Sequence, residues 1–338
     1  MKAAILRSPG NLEIAEIPIP KPNEFQALVK MEICGVCSGT DTHIYEGKVP
    51  FPIDYPGVFG HEGVGRVVEV GKRVQKYKLG DRVLRPCAIY PDQRINGLGS
   101  NWGSYAEYGL VTDLETWRNE QPHGEHARFW YGRLQLIVPA ELSSIRASLL
   151  ITWKETYSAL AYLGNVKGKD IAIVGDGCVG LSFCRWASVL GAVSVTVIGH
   201  RDFRLEQARK LGATQVLNTH QAKLPSTRLF DLVVDTVGSS EAVEQMLPML
   251  RDRGSLGVYG VGNTFRVEFD RSQGPTRWSF AQINPDEAGC HAEVLGLLNK
   301  HRFCAEDFVT CTQSLENLPK ALAHLRDPRS IKAVIQFA

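Results

Sequence analysis

A glycine-rich turn near the middle of the chain restricts the possible folds more than any other feature. Residues 170–180 read DIAIVGDGCVG, in which a short apolar run leads to Gly175, Gly177 and Gly180 and then to a helical pattern. In this spacing the first glycine permits a tight turn, the second lets the backbone approach a pyrophosphate, and the third lets the helix pack closely on the strand. The start of the helix also presents N–H groups and the positive end of its dipole to phosphates. The segment therefore predicts a dinucleotide site, formed by Gly175, Gly177, Val179 and Gly180, on a parallel sheet.

The remaining sequence separates into two patterns. Short β patterns separated by Pro, Gly, Asn and Asp fill about the first 110 residues and favour a loop-rich β domain. From about residue 148 strand and helix patterns alternate, which indicates βαβ units with a parallel sheet covered on both faces. The end of the chain holds helical patterns at residues 287–300 and 315–326 and a last strand at 331–337. A length of 338 residues fits about two domains, so we predict a two-domain α/β protein.

The residues that follow the second strand of this sheet bear on the choice of nucleotide. A site for NAD usually has Asp or Glu about 20 residues after the glycine turn, where it accepts a hydrogen bond from the ribose 2′-OH. Here the strand ends in Gly199, His200 and Arg201, so the sequence predicts open space rather than an acid. With Arg204, these residues offer positive charge and donors to a 2′-phosphate, which favours NADP(H) over NAD(H). Two alternatives stay open: Asp202 turns back to serve NAD, or the basic residues are only a solvated helix start.

Two further glycine-rich turns carry residue types that bind metals. Residues 35–47 read GVCSGTDTHIYEG and residues 57–65 read GVFGHEGVG. Together they offer a thiolate at Cys37, an imidazole at His61 and a carboxylate at Glu62. Cys and His ligands suit Zn²⁺, and a catalytic zinc site commonly combines three protein ligands with an open position. We therefore predict a catalytic zinc site at Cys37, His61 and Glu62.

Taken together, these motifs resemble the medium-chain dehydrogenase/reductase superfamily, and within it the zinc-dependent alcohol dehydrogenases of the polyol and sugar dehydrogenase type. The resemblance covers essentially the whole chain, and it includes GDRV at 80–83, GSYAEY at 103–108, VDTVG at 234–238 and IKAVI at 331–335. It implies a GroES-like β domain made of residues 1–149 and 281–338. A Rossmann domain with a doubly wound parallel sheet is implied at residues 150–280.

The resemblance also implies roles for individual side chains. Thr40 matches the hydroxyl that takes the alcohol proton, and His43 matches the outer end of the relay that passes this proton to solvent. Asp41 matches the carboxylate that orients the ligand histidine. Lys332 matches a position that is commonly basic in the family, where it could contact the cofactor or an interface.

Three features depart from the family pattern. The fourth zinc-associated position falls at Ile151, which cannot bind metal; Glu155, about one helical turn further along the same face and near the expected nicotinamide, could compensate, or water fills the place. No cluster of cysteines follows Cys87, so we expect one catalytic zinc and no structural zinc. Residues 113–132 form an insertion rich in charge and aromatic residues. The insertion is either a solvated surface segment or a lid or subunit-contact loop.

Charge and composition exclude several classes of partner. The 38 Lys and Arg residues nearly balance the 36 Asp and Glu residues, which gives no electrostatic reason to expect nucleic acid or an anionic membrane. No apolar stretch approaches the ~18 residues of a membrane helix, and the N-terminus lacks the features of a signal peptide. We therefore expect a cytoplasmic protein with a small-molecule substrate. The family implies a homo-oligomer, a dimer or tetramer, with the sheet edge near residues 255–262 as a contact.

The leading functional prediction is a zinc-dependent oxidoreductase. It would transfer a hydride between NADP(H) and an alcohol, polyol or sugar-type hydroxyl, or the corresponding carbonyl. One alternative is a zinc-independent, NADPH-dependent reductase of the same superfamily, which Ile151 favours. The other is a nucleotide-binding protein without catalytic activity.

Overall fold

The computed structural model describes residues 1–91, 93–224, 227–262 and 266–338, and in them the chain forms two compact units. The first unit comprises Met1–Ile151, Val309–Arg326 and Lys332–Ala338, and the second comprises Thr152–Phe308 and Asp327–Ile331. The predicted α/β class is confirmed. The chain returns to the first unit at Val309, later than the expected residue 281.

The strands, in chain order, are β1 (Lys2–Ser8), β2 (Asn11–Glu16), β3 (Gln26–Val36), β4 (Gly57–Phe59), β5 (Glu62–Val70), β6 (Arg82–Leu84), β7 (Arg94–Ile95), β8 (Leu98–Asn101), β9 (Tyr108–Thr112), β10 (Ile137–Val138), β11 (Asp170–Val174), β12 (Ser194–Gly199), β13 (Gln215–Asn218), β14 (Phe230–Asp235), β15 (Leu250–Val258), β16 (Trp278–Gln282), β17 (Val309–Gln313) and β18 (Lys332–Gln336). The α-helices are α1 (Thr40–Glu46), α2 (Leu114–Glu120), α3 (Ser144–Tyr162), α4 (Cys178–Val189), α5 (Asp202–Lys210), α6 (Ser240–Met246), α7 (His291–Lys300) and α8 (Leu318–His324). Short 3₁₀ helices lie at Glu125–Leu134, Leu247–Met249, Arg271–Gln273, Ala305–Asp307 and Leu315–Asn317.

The first unit is built on two sheets. Among the described residues, one has the strand order β2-β1-β4-β8-β7, and the other has the order β10-β6-β5-β3-β18-β17, with β9 also paired to β3. β3 and β5 run antiparallel with Gly35 opposite Glu62, so the end of β3 lies beside the start of β5. This register brings the turn that contains Cys37 close to the turn that contains His61.

The second unit contains a parallel sheet with the strand order β13-β12-β11-β14-β15-β16 among the described residues. After Asp170, β11 is a buried apolar run, as expected for a strand of a parallel sheet that is covered on both faces. Its register pairs Val174 with Ile198, so the glycine turn after β11 and the end of β12 meet at one edge.

The last strand of this sheet, β16, explains two differences from the sequence prediction. It pairs in parallel with β15, so the sheet continues beyond residue 280, and the residues up to Phe308 belong to this unit. Strand β16 also covers the segment near residues 255–262 that was expected at the sheet edge, and β16 itself is the edge strand in the described part of the chain.

The insertion at residues 113–132 has many exposed residues, as the interpretation of a surface segment predicts, but part of it is buried. It folds into α2 and the 3₁₀ helix Glu125–Leu134, and Trp117, Phe129 and Tyr131 are buried in an aromatic cluster with Phe25 and Tyr90. The Phe25 and Trp117 rings stack with centroids 5.1 Å apart. The insertion therefore extends the core of the first unit.

None of the helices in the described residues combines the length and apolar character that a membrane crossing requires.

Candidate active site

The three predicted metal ligands lie together in the first unit. Cys37 follows the end of β3, His61 lies in the turn between β4 and β5, and Glu62 begins β5. One ligand atom from each of these residues lies within 4.8 Å of the other two. This spacing is on the scale of two zinc–ligand bonds of about 2.0–2.3 Å each. The cluster can therefore hold one ion with small side-chain adjustments.

The imidazole of His61 is oriented by a buried carboxylate. Nδ1 of His61 lies 3.1 Å from Oδ1 of Asp41, which leaves Nε2 for a metal. Asp41, on α1, is fully buried and also accepts hydrogen bonds from the Cys37 amide at 2.9 Å and from the Tyr105 hydroxyl at 2.7 Å. The Asp41 carboxylate thus links two of the three candidate ligands.

The electrostatics of this cluster favour a cation. Burial would lower the pKa of His61, but the Asp41 carboxylate and the Cys37 thiol beside it outweigh burial and raise that pKa well above its usual range. The surroundings therefore stabilise positive charge at the imidazole. A thiol, an imidazole and a carboxylate form a donor set that suits Zn²⁺, so these residues fit the metal that the sequence predicts.

The third candidate ligand, Glu62, also forms a buried ion pair with Lys332 on β18. Oε1 of Glu62 lies 4.0 Å from Nε2 of His61, whereas Oε2 faces Nζ of Lys332. Gly35 makes room for this carboxylate, because a Cβ there would lie 2.1 Å from Oε2 of Glu62. The structure therefore gives Lys332 a partner within its own unit, which the sequence alone did not identify.

The two residues predicted to move protons lie on one short helix. Thr40 begins α1 and His43 lies three residues later, so both side chains share one helix face. Both are half-buried. Burial holds the pKa of His43 below its usual value, so its imidazole is neutral at pH 7. The participation of both in a relay stays a prediction.

Aromatic residues and an arginine adjoin His61. The ring centroid of Trp102 lies 5.7 Å from that of His61 and 5.8 Å from that of Phe51. Arg85 is buried. Its Nη1 donates a 2.7 Å hydrogen bond to the backbone carbonyl of His61 and lies 3.4 Å from the Tyr131 hydroxyl. Tyr131 belongs to the insertion, which thus supports the turn of the metal cluster.

The glycine turn of the second unit has the geometry that the sequence predicts. Gly175 has φ +112°, a conformation that favours glycine, and a Cβ on Gly180 would lie 1.9 Å from the carbonyl oxygen of Gly175. A Cβ on Gly177 would meet nothing within 4 Å, so the backbone there is open to an approaching group. Val179 lies in the first turn of α4. A pyrophosphate can therefore reach the start of this helix.

The end of β12 differs from the sequence prediction. The expected open space holds the carboxylate of Asp176, whose side chain is 3% exposed. Its Oδ2 accepts hydrogen bonds from the amides of His200 and Arg201, each at 2.9 Å. Its Oδ1 lies 3.3 Å from Nη1 of Arg201 and 3.6 Å from Nη1 of Arg204. Asp176 belongs to the glycine turn after the neighbouring strand β11. The residues that follow β12 in the sequence therefore do not reveal this carboxylate.

Two other residues singled out in the sequence lie at or near this strand end. Partial burial and the Arg201 guanidinium hold the pKa of His200 below its usual value, so His200 contributes a neutral ring and not a charge. The carboxylate of Asp202 accepts a hydrogen bond of 2.6 Å from the side-chain amide of Asn218, which pairs with Gly199, and another from Gln221. A role of Asp202 towards NAD stays a prediction.

Comparisons with known proteins agree with this geometry. Residues 23–118 match the model of the alcohol dehydrogenase GroES-like domain, and residues 178–273 match that of the zinc-binding dehydrogenases. An uncharacterized zinc-type alcohol dehydrogenase-like protein of Escherichia coli is 31% identical over 273 residues, which cover 76% of each chain. The chain belongs to the zinc-type alcohol dehydrogenase family. Its unit with the metal cluster is the GroES-like β unit, its other unit has the Rossmann-type sheet, and the protein is an NAD(P)-dependent oxidoreductase.

This dehydrogenase is also similar to two further proteins, one by sequence and one by solved structure. The sorbitol dehydrogenase of Bacillus subtilis is 28% identical over 272 residues, covering 77% of this chain and 75% of the relative. The solved structure of the alcohol dehydrogenase TADH from Thermus sp. ATN1 matches with a TM-score of 0.82 and 26% identity, over 99% of both chains.

The departures of this dehydrogenase from the family pattern remain in the structure. Ile151 is fully buried and offers no ligand atom. Glu155 belongs to the second unit, where its carboxylate accepts a 2.9 Å hydrogen bond from the Tyr259 hydroxyl. Its compensating role stays a prediction. The group of candidate metal ligands found in the described residues consists of Cys37, His61 and Glu62.

Sequence reasoning missed three contributors to these sites: Asp176, Trp102 and the partner of Lys332. Asp176 stands between two glycines of the dinucleotide motif, and an acid at that place was the available signal. Trp102 precedes the GSYAEY motif by one residue, but only the pairing of strands brings it to His61. The ion pair of Lys332 joins residues 270 positions apart (332 − 62), a separation that no local pattern reveals.

Proposed function

We propose that this dehydrogenase transfers a hydride between NADP(H) and the hydroxyl group of an alcohol, polyol or sugar, or the corresponding carbonyl. One zinc ion would be held by Cys37, His61 and Glu62. The observation that carries the proposal is the convergence of these three ligand atoms around one point, with His61 oriented by buried Asp41. The similarity to a sorbitol dehydrogenase supports a polyol-type substrate.

The chain's own residues account for binding and proton movement. A bound zinc supplies a Lewis acid for the substrate oxygen, and a bound nicotinamide nucleotide supplies or takes the hydride. Asp41 keeps the Nδ1 proton of His61 in place, so that Nε2 stays available as a donor. Thr40 exchanges the proton of the substrate hydroxyl, and neutral His43 passes it towards solvent. Glu155 is proposed as a further polar group of the reaction site.

The nucleotide is held by the second unit in this proposal. Gly175, Gly177, Val179 and Gly180 receive the pyrophosphate at the start of α4. The two guanidinium groups at the end of β12, those of Arg201 and Arg204, support binding of the 2′-phosphate of NADP(H). The two units would thus divide the work into a catalytic domain and a nucleotide-binding domain.

A substrate screen tests the proposal. Purified protein with added zinc is assayed for NADPH or NADH formation with simple alcohols, linear polyols, cyclitols and aldoses, and for nucleotide oxidation with the matching carbonyls. We expect turnover with at least one hydroxyl substrate and its loss in Cys37→Ser. Cys311→Ser, a half-buried cysteine outside the metal cluster, is the matched control and should retain activity. Turnover restricted to activated double bonds and unaffected by Cys37→Ser would refute the proposal.

A further inference from the structure

The end of β12 combines two features that nucleotide sites usually keep apart. In sites of this fold, an acid at this position accepts a hydrogen bond from the ribose 2′-OH of NAD, whereas an arginine accommodates the 2′-phosphate of NADP. In this dehydrogenase the guanidinium groups of Arg201 and Arg204 both lie within 3.6 Å of the carboxylate of Asp176. Gly199 leaves room for the side chain of Asp176, because a Cβ on Gly199 would lie 2.6 Å from it.

The carboxylate of Asp176 retains capacity to accept a hydrogen bond. A carboxylate has about four acceptor sites. Two are used by the amides of His200 and Arg201, and a third accepts a long hydrogen bond of 3.3 Å from Nη1 of Arg201, while Nη1 of Arg204 lies 3.6 Å from the same oxygen. Arg201 is the more exposed arginine, with 28% of its side chain accessible against 6% for Arg204. Arg201 is therefore the group that can move to make way for a ribose hydroxyl.

The same carboxylate opposes a 2′-phosphate. A phosphate of about −2 charge next to a buried carboxylate is repelled, and the two compete for the same arginines. Because His200 is neutral at pH 7, the two guanidinium groups exceed the Asp176 carboxylate by one positive charge. Asp176 thus favours NAD(H), while Arg201 and Arg204 favour NADP(H).

We propose that Asp176 is a specificity-determining residue through which the site admits NAD(H) as well as NADP(H). The ribose 2′-OH of NAD(H) donates to Asp176, and the 2′-phosphate of NADP(H) pairs with Arg201. This inference rests on the proposed function only in taking the glycine turn and the end of β12 as the nucleotide site.

Nucleotide binding without substrate tests the proposal. Dissociation constants of NADH and NADPH are measured by fluorescence for the wild-type protein and for Asp176→Asn, which keeps the shape of the side chain. We expect the wild-type constants to lie within a hundredfold of each other. In Asp176→Asn the NADH constant should rise and the NADPH constant should fall, so that their ratio shifts towards NADPH by at least about tenfold, the size of one hydrogen bond to a charged group.

Two further variants act as controls. Asp202→Asn removes a neighbouring carboxylate that is bound to Asn218 and should leave the ratio unchanged. Arg201→Ala should weaken NADPH binding by about tenfold or more and should not weaken NADH binding.

Several outcomes would overturn the proposal. They are a wild-type preference above a hundredfold for either nucleotide, a folded Asp176→Asn protein whose ratio stays within twofold of wild type, or a shift that follows Asp202→Asn instead. If Asp176→Asn fails to fold in a thermal unfolding assay, the wild-type ratio and Arg201→Ala decide the question. Nucleotide binding without turnover of any substrate would refute the proposed reaction and leave this inference standing.

Discussion

At the scale of single residues, one buried carboxylate organises the metal cluster. Asp41 contacts the imidazole of His61, the amide of Cys37 and the hydroxyl of Tyr105. Each contact places a donor against an oxygen of the carboxylate, so an amide in its place would turn an NH₂ group towards one of these donors. The metal affinity of the cluster should therefore depend on a residue that does not itself bind the metal.

We expect Asp41→Asn to weaken zinc binding by about 10–100-fold, as partners of ligand histidines typically do. The measurement is competition between the protein and a chromophoric chelator. Asp81→Asn changes a carboxylate of the same unit that accepts a hydrogen bond from the Lys78 amide and lies outside the metal cluster, so it should not alter zinc affinity. An Asp41→Asn affinity within twofold of wild type would show that Asp41 does not orient His61.

At the scale of structural elements, two glycines in the turn between β11 and α4 have different roles, one in the stability of the fold and the other in nucleotide binding. Gly180 is required by the fold, because a side chain there would collide with the carbonyl oxygen of Gly175. Gly177 has φ −77°, which other residues also adopt, and a Cβ there meets nothing within 4 Å. The fold itself does not require glycine at position 177, so we expect the open backbone there to serve the nucleotide.

The two glycines should therefore respond differently to substitution by alanine. Gly177→Ala should retain the free energy of unfolding of the wild type but raise the dissociation constant of NADPH by about tenfold or more, because its methyl group obstructs the pyrophosphate. Gly180→Ala should lower the free energy of unfolding by about 1–3 kcal/mol through overpacking. Denaturant unfolding and nucleotide titration of both variants provide the measurements. Equal effects of the two variants on stability would contradict this assignment.

The insertion contributes a second element whose stability depends on one carboxylate. Asp113 is buried and caps α2 by accepting a hydrogen bond from the Thr116 amide at 3.1 Å, and it also accepts from the amides of Gln75 and Lys76 at 2.8 Å each. Burial alone would raise the pKa of Asp113, but these donors outweigh burial and hold that pKa below its usual value of 3.8.

This lowered pKa predicts a pH-dependent stability. The ionised carboxylate stabilises the fold above its unfolded pKa of 3.8, and the contribution is lost as the pH falls through the lower native pKa. Asp113→Asn should therefore reduce the free energy of unfolding by about 1–3 kcal/mol at pH 7. The difference from wild type should shrink below pH 3.8. Glu115→Gln, on the exposed side of the same helix, is the control. A difference that does not change with pH would contradict the prediction.

At the scale of the whole molecule, local sequence patterns predicted the fold well, but they predicted the residues that surround each site less well. The α/β class, the glycine turn and the three candidate metal ligands follow from short motifs whose chemistry is local. Asp176 at the end of β12, Trp102 beside His61 and the pairing of Lys332 with Glu62 depend on strand register, which brings distant segments together. The structure of the insertion could not be predicted, because its aromatic residues have no periodic spacing in the sequence. Their burial depends on contacts with the distant residues Phe25 and Tyr90.

The edge strand β16 bears on the expected homo-oligomer. Phe280 on this strand is 42% exposed, and an exposed strand edge offers unpaired backbone groups to a second chain. We propose that the dehydrogenase forms a dimer or tetramer. Light scattering during size-exclusion chromatography should then give a mass that is a multiple of 37.4 kDa. A mass of 37.4 kDa across micromolar concentrations would contradict the proposal.

The central claim is that the cluster of Cys37, His61 and Glu62 holds the zinc on which hydride transfer depends. The most direct test measures zinc per chain in freshly purified protein by mass spectrometry and follows NADP(H)-linked turnover through chelation and zinc addition. The claim predicts about one zinc per chain, loss of activity with loss of metal, and recovery when zinc returns. Protein without stoichiometric zinc, whose activity survives chelation, would contradict it.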